Sequence, residues 1–217
     1  MRIACIGSGT IGRSWALLFA LKGNQVILHD ITYEILNDAI STIRVYLDVL
    51  HEEEVVDTED ISEVMKRIET TTDIKYAAEK ADYIQESVPE DLSIKKSIFK
   101  KLDKYASPEI ILASSTSGLS ISDIQTELEH PERCIIVHPI NPPHLIPLVE
   151  IIPGRYTSDS VVNKTYKFML GLGKIPILVK KEVPGFIFNR LAAALWREAL
   201  SLLDNDVATV EDIDKAV

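Results

Sequence analysis

Short apolar runs alternate along this chain with longer segments in which apolar positions recur every three or four residues. The runs read as buried strands and the longer period as amphipathic helices. Their alternation predicts an α/β fold, a doubly wound and mostly parallel sheet with helices on its faces. Strands are expected at Arg2–Ile6, Gln25–His29, Asp82–Gln85, Ile110–Ala113, Cys134–Val137, Leu148–Ile152 and Ile175–Val179. A helix is expected from Thr10 to Lys22, stopped by Gly23-Asn24. Helical segments at Tyr33–Leu50 and Thr58–Ile68 form a long excursion before the sheet resumes. Further helices are expected at Leu92–Tyr105 and Ser158–Leu172, and from Pro184-Gly185 to Leu203. Thr209-Val210-Glu211-Asp212 resembles a capping box that starts one more.

The sharpest local pattern is Gly7-Ser8-Gly9-Thr10-Ile11-Gly12, which follows the first strand directly and opens the first helix. In that context the three glycines make a tight turn, let the backbone approach a pyrophosphate, and let helix and strand pack closely. The free N–H groups at the helix start favour the anion. Asp30 ends the second strand about 20 residues further on, where an acid accepts from ribose hydroxyls. A carboxylate there repels the extra phosphate of NADP, and Ile31-Thr32-Tyr33 offers no arginine to hold one. The expected cofactor is NAD, bound to a Rossmann-type domain.

Composition narrows the partners. The chain has 217 residues, 46% hydrophobic and 26% charged, enough to bury a core. Its formal net charge of -10 argues against nucleic acid or an anionic membrane as the main partner. Cys5 and Cys134 lie in apolar strand runs without metal or redox spacing, which suggests a reducing compartment. No apolar run approaches the ~20 residues of a membrane span. With no signal sequence at the N-terminus, a cytoplasmic location is expected.

Four ordered motifs occupy the second half: Ser114-Ser115-Thr116-Ser117-Gly118-Leu119-Ser120, His138-Pro139-Ile140-Asn141-Pro142-Pro143, Pro147-Leu148-Val149-Glu150 and Pro184-Gly185-Phe186-Ile187-Phe188-Asn189-Arg190. With the glycine pattern they resemble the 3-hydroxyacyl-CoA dehydrogenase family over nearly the whole chain. The histidine motif followed by Ile-Pro-Leu-Val-Glu looks most like the subgroup of lambda-crystallin and L-gulonate 3-dehydrogenase. The resemblance implies that His138 is the catalytic histidine and Glu150 its carboxylate partner. It implies that Ser117 and Asn189 hold the reacting oxygen and that Asn141 lies near the nicotinamide. Glu90 and Lys95 match positions that contact the nicotinamide-side ribose. It further implies an NAD-binding domain over 1–181 and, over 182–217, the beginning of a helical C-terminal domain that builds a homodimer, apparently incomplete here.

Histidine suits the base role because its ordinary pKa is near neutrality. A carboxylate on its far ring nitrogen fixes the tautomer and stabilises the imidazolium. Glu150 interrupts an apolar run, so it needs a partner or must face solvent. Ser117 reads otherwise as a turn serine, and Asn189 as a helix-start side chain bonding its own backbone. His29 reads as packing or rim, His144 stands near the Asn141-Pro142-Pro143 loop without a role, and no histidine has metal spacing. Lys96, Lys100 and Lys104 read as a solvated helix face. The expected activity is NAD-dependent interconversion of a 3-hydroxy acid, or its CoA thioester, and the 3-keto product. L-gulonate oxidation and a catalytically quiet, crystallin-like NAD-binding structural protein stand as alternatives.

Overall fold

A computed structural model describes the whole backbone of residues 1–217 and every side chain except those at 59 and 60. Eight strands form one sheet: β1 Arg2–Ile6, β2 Gln25–His29, β3 Ile68–Thr71, β4 Tyr83–Glu86, β5 Leu112–Ser114, β6 Cys134–Pro139, β7 Leu148–Pro153 and β8 Ile175–Leu178. Their order is β3-β2-β1-β4-β5-β6-β7-β8. Neighbours are parallel from β3 to β6, β7 runs antiparallel to β6, and β8 is parallel to β7. The order reverses beside β1, so the first β-turn-α connection opens at the switch point, the usual ligand crevice of such sheets.

The helices are α1 Thr10–Leu21, α2 Tyr33–Glu52, α3 Thr58–Lys66, α4 Ile74–Lys80, α5 Leu92–Tyr105, α6 Ile121–Ile124, α7 Asp159–Gly171, α8 Phe188–Asp204 and α9 Val210–Ala216. Side chains alternate across each strand. Ile3 and Cys5 of β1 therefore pack with Trp15 and Phe19 of α1 and Leu36 and Ile43 of α2. Ala4 and Ile6 pack with Ala77 of α4 and Phe99 and Leu102 of α5. Both cysteines are buried and free. Side-chain caps start several helices, with Thr32, Asp91, Ser158 and Thr209 accepting from N–H groups of the turns that follow. Among the described residues no helix is long and apolar enough to cross a membrane.

Several boundaries differ from the sequence expectation. The sheet resumes at Ile68, not at Asp82: Ile68, assigned to the end of a helix, opens β3, and α4 follows. This strand is Ile-Glu-Thr-Thr on the sheet edge, too polar to stand out by hydropathy. Its pairing with β2 stabilises it. Ile110 precedes β5 and belongs to a turn. The last long helix starts at Phe188, not at Pro184-Gly185. Gly185 (φ 74) and Phe186 (φ 49) are both left-handed, so the chain reverses before it can wind. No residue of α8 is buried, and Leu191, Leu195, Trp196 and Leu200 are exposed.

A buried ion pair ties α5 to the turn before β6. Arg133 Nη2 and Nε donate to Asp103 Oδ1 at 2.8 and 3.2 Å, and the Glu129 and His130 N–H groups donate to Oδ2. Burial alone raises the Asp103 carboxyl, but these bonds outweigh it and hold it below the usual range. Its contribution to stability is therefore complete above the unfolded carboxylate pKa and is lost as pH falls through the depressed value. Asp103→Asn strands the buried Arg133 charge. Urea unfolding at pH 7 is expected to register a loss of roughly 3–5 kcal/mol, and a variant as stable as the parent contradicts this account.

Candidate active site

The glycine turn leads from the C-terminal end of β1 into α1. Gly7 adopts φ +91, and a Cβ there would lie 2.7 Å from the Ser87 carbonyl oxygen. A Cβ on Gly12 would meet the Gly7 carbonyl oxygen, which closes helix onto strand. A Cβ on Gly9 would meet nothing within 4 Å, because Gly9 faces an open groove. The N-terminus of α1 has no side-chain cap and no acid in its first turn, leaving its N–H groups for an anion.

The groove has a volume of about 600 Å³ and is lined by Gly7, Gly9, Thr10, Ile11, Asp30, Ile31, Val88 and Pro89 among others. A smaller cavity of about 180 Å³ shares Ile11, Ser87 and Val88 with it and adds Glu90, Lys95, Ser115 and Ser117. Asp30 Oδ2 accepts from the Ser8 N–H and hydroxyl at 2.7 and 2.8 Å, and Oδ1 accepts from the Ile31 N–H at 2.8 Å. A carboxylate held at the groove, with no cation lining it, fits NAD better than NADP.

His138 and Glu150 stand opposite each other in the antiparallel β6–β7 register. His138 Nδ1 and Glu150 Oε2 are 2.7 Å apart, and both residues are buried. With Nδ1–H donating to the carboxylate, Nε2 of the neutral ring carries the free lone pair. The second carboxylate oxygen, Oε1, accepts from the Ile187 and Phe188 N–H groups at 2.8 and 3.0 Å, which seats the start of α8 on Glu150. Burial pushes the Glu150 carboxyl up, but bonds from His138 and these two N–H groups hold it below the usual range. The Phe186 ring meets the imidazole edge-on, with centroids 5.4 Å apart.

Ser117 follows β5 and is exposed at the smaller cavity. Asn189, in the first turn of α8, donates from Nδ2 to the Ser117 carbonyl at 3.2 Å, so helix and serine turn are joined. Glu90 Oε1 accepts from the Thr116 hydroxyl and the Ser117 and Gly118 N–H groups. Burial raises Glu90, but those donors and Lys95 hold it below the usual range. Lys95, 1% exposed, donates to Glu86 Oε1 at 2.7 Å and to the Val88 carbonyl at 3.1 Å. Asn141 is exposed on the loop between β6 and β7.

Three contributors escaped the sequence reading. Glu86 ends β4 fully buried, with Lys95, the Ser114 hydroxyl and the Val88 N–H on its carboxylate. Burial raises its pKa and these partners offset only part of that. Glu150 was marked by interrupting an apolar run, whereas Glu86 follows Gln85 in a short mixed strand and carried no such signal. Phe186 had no signal, being one aromatic in an apolar motif. Buried Lys174, lowered by burial to about 8, donates to the Pro143 and Ile146 carbonyls and so holds the loop after His138. His144 bonds Ser14 and stacks on Tyr46 rather than reaching the His138–Glu150 pair. His29 is buried, as expected of a packing residue, and Lys100 pairs loosely with Glu127 at 3.8 Å. No metal-binding group of His, Cys, Asp or Glu occurs among the described residues.

Comparison with known proteins identifies the family. The family model for the NAD binding domain of 3-hydroxyacyl-CoA dehydrogenase matches residues 2–183, and that for its C-terminal domain matches 185–217. The chain is 40% identical to the human lambda-crystallin homolog, over 98% of this chain and 67% of that protein. It is 37% identical to L-carnitine dehydrogenase of Oceanobacillus iheyensis, over 100% of this chain and 69% of that one. The structure of 3-hydroxybutyryl-CoA dehydrogenase from Escherichia coli superposes with a TM-score of 0.90 at 36% identity, covering 96% of this chain and 44% of that one. The chain thus spans about two thirds of the length of these curated relatives.

The glycine environments predict opposite outcomes for two small changes. Gly9→Ala is expected to melt within a few degrees of the parent yet bind NAD roughly 10-fold more weakly, because the methyl enters the groove. Gly12→Ala is expected to lower the melting temperature, because the methyl meets backbone. Thermal melts and NAD titration by protein fluorescence separate the two, and equal behaviour of the pair would count against the groove assignment.

Proposed function

We propose that this chain, which belongs to the 3-hydroxyacyl-CoA dehydrogenase family, oxidises the 3-hydroxyl of a 3-hydroxy acid, free or as its CoA thioester, with NAD as electron acceptor. The observation that carries the reading is the 2.7 Å contact of His138 Nδ1 with the buried Glu150 carboxylate. It leaves Nε2 to take the hydroxyl proton while NAD, when bound, accepts the hydride. The imidazolium so formed keeps its Nδ1–H on Glu150, whose charge stabilises it. Phe186 and the strand neighbours exclude water from the pair, which strengthens that attraction.

In this reading Ser117 donates its hydroxyl to the substrate oxygen, and Asn189 has a second amide hydrogen for the same atom while the first holds the Ser117 carbonyl. Asp30 holds the adenosine-side ribose at the groove, and Thr10 and Ile11 line the pyrophosphate turn. Glu90, Lys95, Ser117 and Asn141 surround the nicotinamide side. Both substrate forms remain in the proposal. Pro139 and Ile140 follow His138 where acyl-CoA enzymes of the family usually carry aromatic residues, which favours a free acid. The domain division at about 181/182 and pairing of two copies through helical segments belong to the same proposal, supported by the apolar surface of α8.

Initial rates on 3-hydroxybutyryl-CoA, L-gulonate and L-carnitine at equal NAD test the activity and choose the substrate form. His138→Ala is expected to lower turnover by about 100- to 10,000-fold with NAD affinity unchanged. Full activity of that variant would remove His138 as the base. Tight NAD binding with no turnover on any of these substrates would favour a quiet structural protein.

A further inference from the structure

We propose that Ser87 is a further cofactor-binding residue, its hydroxyl donating to an oxygen of the nicotinamide-side ribose; this rests on the assignment of the groove to NAD. The direction of its hydrogen bond is set by a buried network behind the site. Trp15, Tyr83, Gln85 and Ser115 are all buried. The Tyr83 hydroxyl donates to Gln85 Oε1 at 2.9 Å, and Gln85 Nε2 faces the Val137 carbonyl at 3.5 Å. A carbonyl only accepts, so the orientation of the Gln85 amide is fixed, and Nε2 donates to Ser115 Oγ at 2.8 Å. The Trp15 Nε1–H, a donor only, reaches the same oxygen at 3.2 Å. Both lone pairs of Ser115 Oγ are then occupied, and its single proton goes to Ser87 Oγ, 2.9 Å away.

Because the Ser87 oxygen accepts from Ser115, its own proton cannot point back along the network. Ser87 Oγ makes no other hydrogen bond among the described residues. The backbone decides where that proton is offered. Ser87 follows β4, its N–H donates to the Ile6 carbonyl at 2.7 Å, and its carbonyl oxygen is the atom that a Cβ on Gly7 would strike. The residue thus sits against the glycine turn, and it lines both the groove and the smaller cavity. Ser115 lines the smaller cavity and not the groove, which places the bond between the two hydroxyls toward Glu90, Lys95 and Ser117 rather than toward Asp30. A ribose diol both donates and accepts. Glu90, held below the usual carboxylate range, can only accept, and Ser87 brings a donor to the same cavity. The two side chains are therefore complementary toward a diol.

Calorimetric titration of the full chain with NAD, ADP-ribose and ADP tests the assignment on the parent, Ser87→Ala and Ser115→Ala. ADP-ribose carries the second ribose without the nicotinamide, and ADP carries neither. Ser87→Ala is expected to bind NAD and ADP-ribose about 5-fold more weakly, with ADP affinity unchanged. Unchanged ADP binding also shows that the variant keeps its fold and its groove. Parent-like affinity of Ser87→Ala for ADP-ribose would overturn the assignment, and so would a loss for ADP as large as that for ADP-ribose. Ser115→Ala leaves the Ser87 hydroxyl unoriented and is expected to weaken ADP-ribose roughly 3-fold. Adding Ser87→Ala to that variant is expected to have a smaller effect than it has in the parent. Strictly additive losses would overturn the orienting role of Ser115. A parent that binds none of the three ligands removes the NAD reading, and this assignment with it. Binding by the parent with a neutral Ser87→Ala removes this assignment alone.

Discussion

A carboxylate buried in an apolar strand organises one end of the sheet. Glu150 sits in β7 between Val149 and Ile151, with no exposure to solvent. An isolated charge there is costly enough that the group would protonate or the strand would shift. Its two oxygens divide the compensation. One holds the His138 ring across the β6–β7 ladder, and the other receives the first N–H groups of α8. The satisfaction of one charge thus fixes the imidazole, the orientation of β7 and the departure of the last long helix. Removing any of these partners exposes the others to the desolvation cost.

A second carboxylate repeats the device at the neighbouring strand end. Glu86 closes β4 and is compensated by Lys95, Ser114 and the Val88 N–H. Between these two centres lie the serine turn and the cavity beside it. The sheet supplies the frame for both. Parallel strands β1, β4, β5 and β6 bring their C-terminal ends to one edge, so groups far apart in the chain converge there. Polar side chains at that edge are buried by the loops and by α8, and each buried polar group then needs a named partner.

The legible parts were those with a strong local cause. β1, the glycine turn and α1 follow from hydropathy and from glycine positions where a Cβ would strike backbone. His138 and Glu150 were marked by a charge in an apolar run and by the motif around the histidine. β3 and α4 were missed because a short polar edge strand and a seven-residue helix carry almost no periodicity. The contact of Asn189 Nδ2 with the Ser117 carbonyl, 72 residues away, was not legible in the sequence. Partners that distant along the chain leave no local pattern, because nothing nearby in sequence changes when they meet.

The amino-acid order alone determined the alternation of strand and helix, the glycine turn with its acid, and the residue types able to move a proton. Those properties are local: they depend on backbone freedom, on period and on side-chain chemistry. Only the tertiary structure decided which oxygen of Glu150 faces His138 and which faces α8, that Glu90 Oε1 accepts from the serine turn, and that Phe186 closes over the imidazole. Those are matters of distance and burial, and they exist only once the strands have been ordered and the polar groups at their ends have had to find each other out of water.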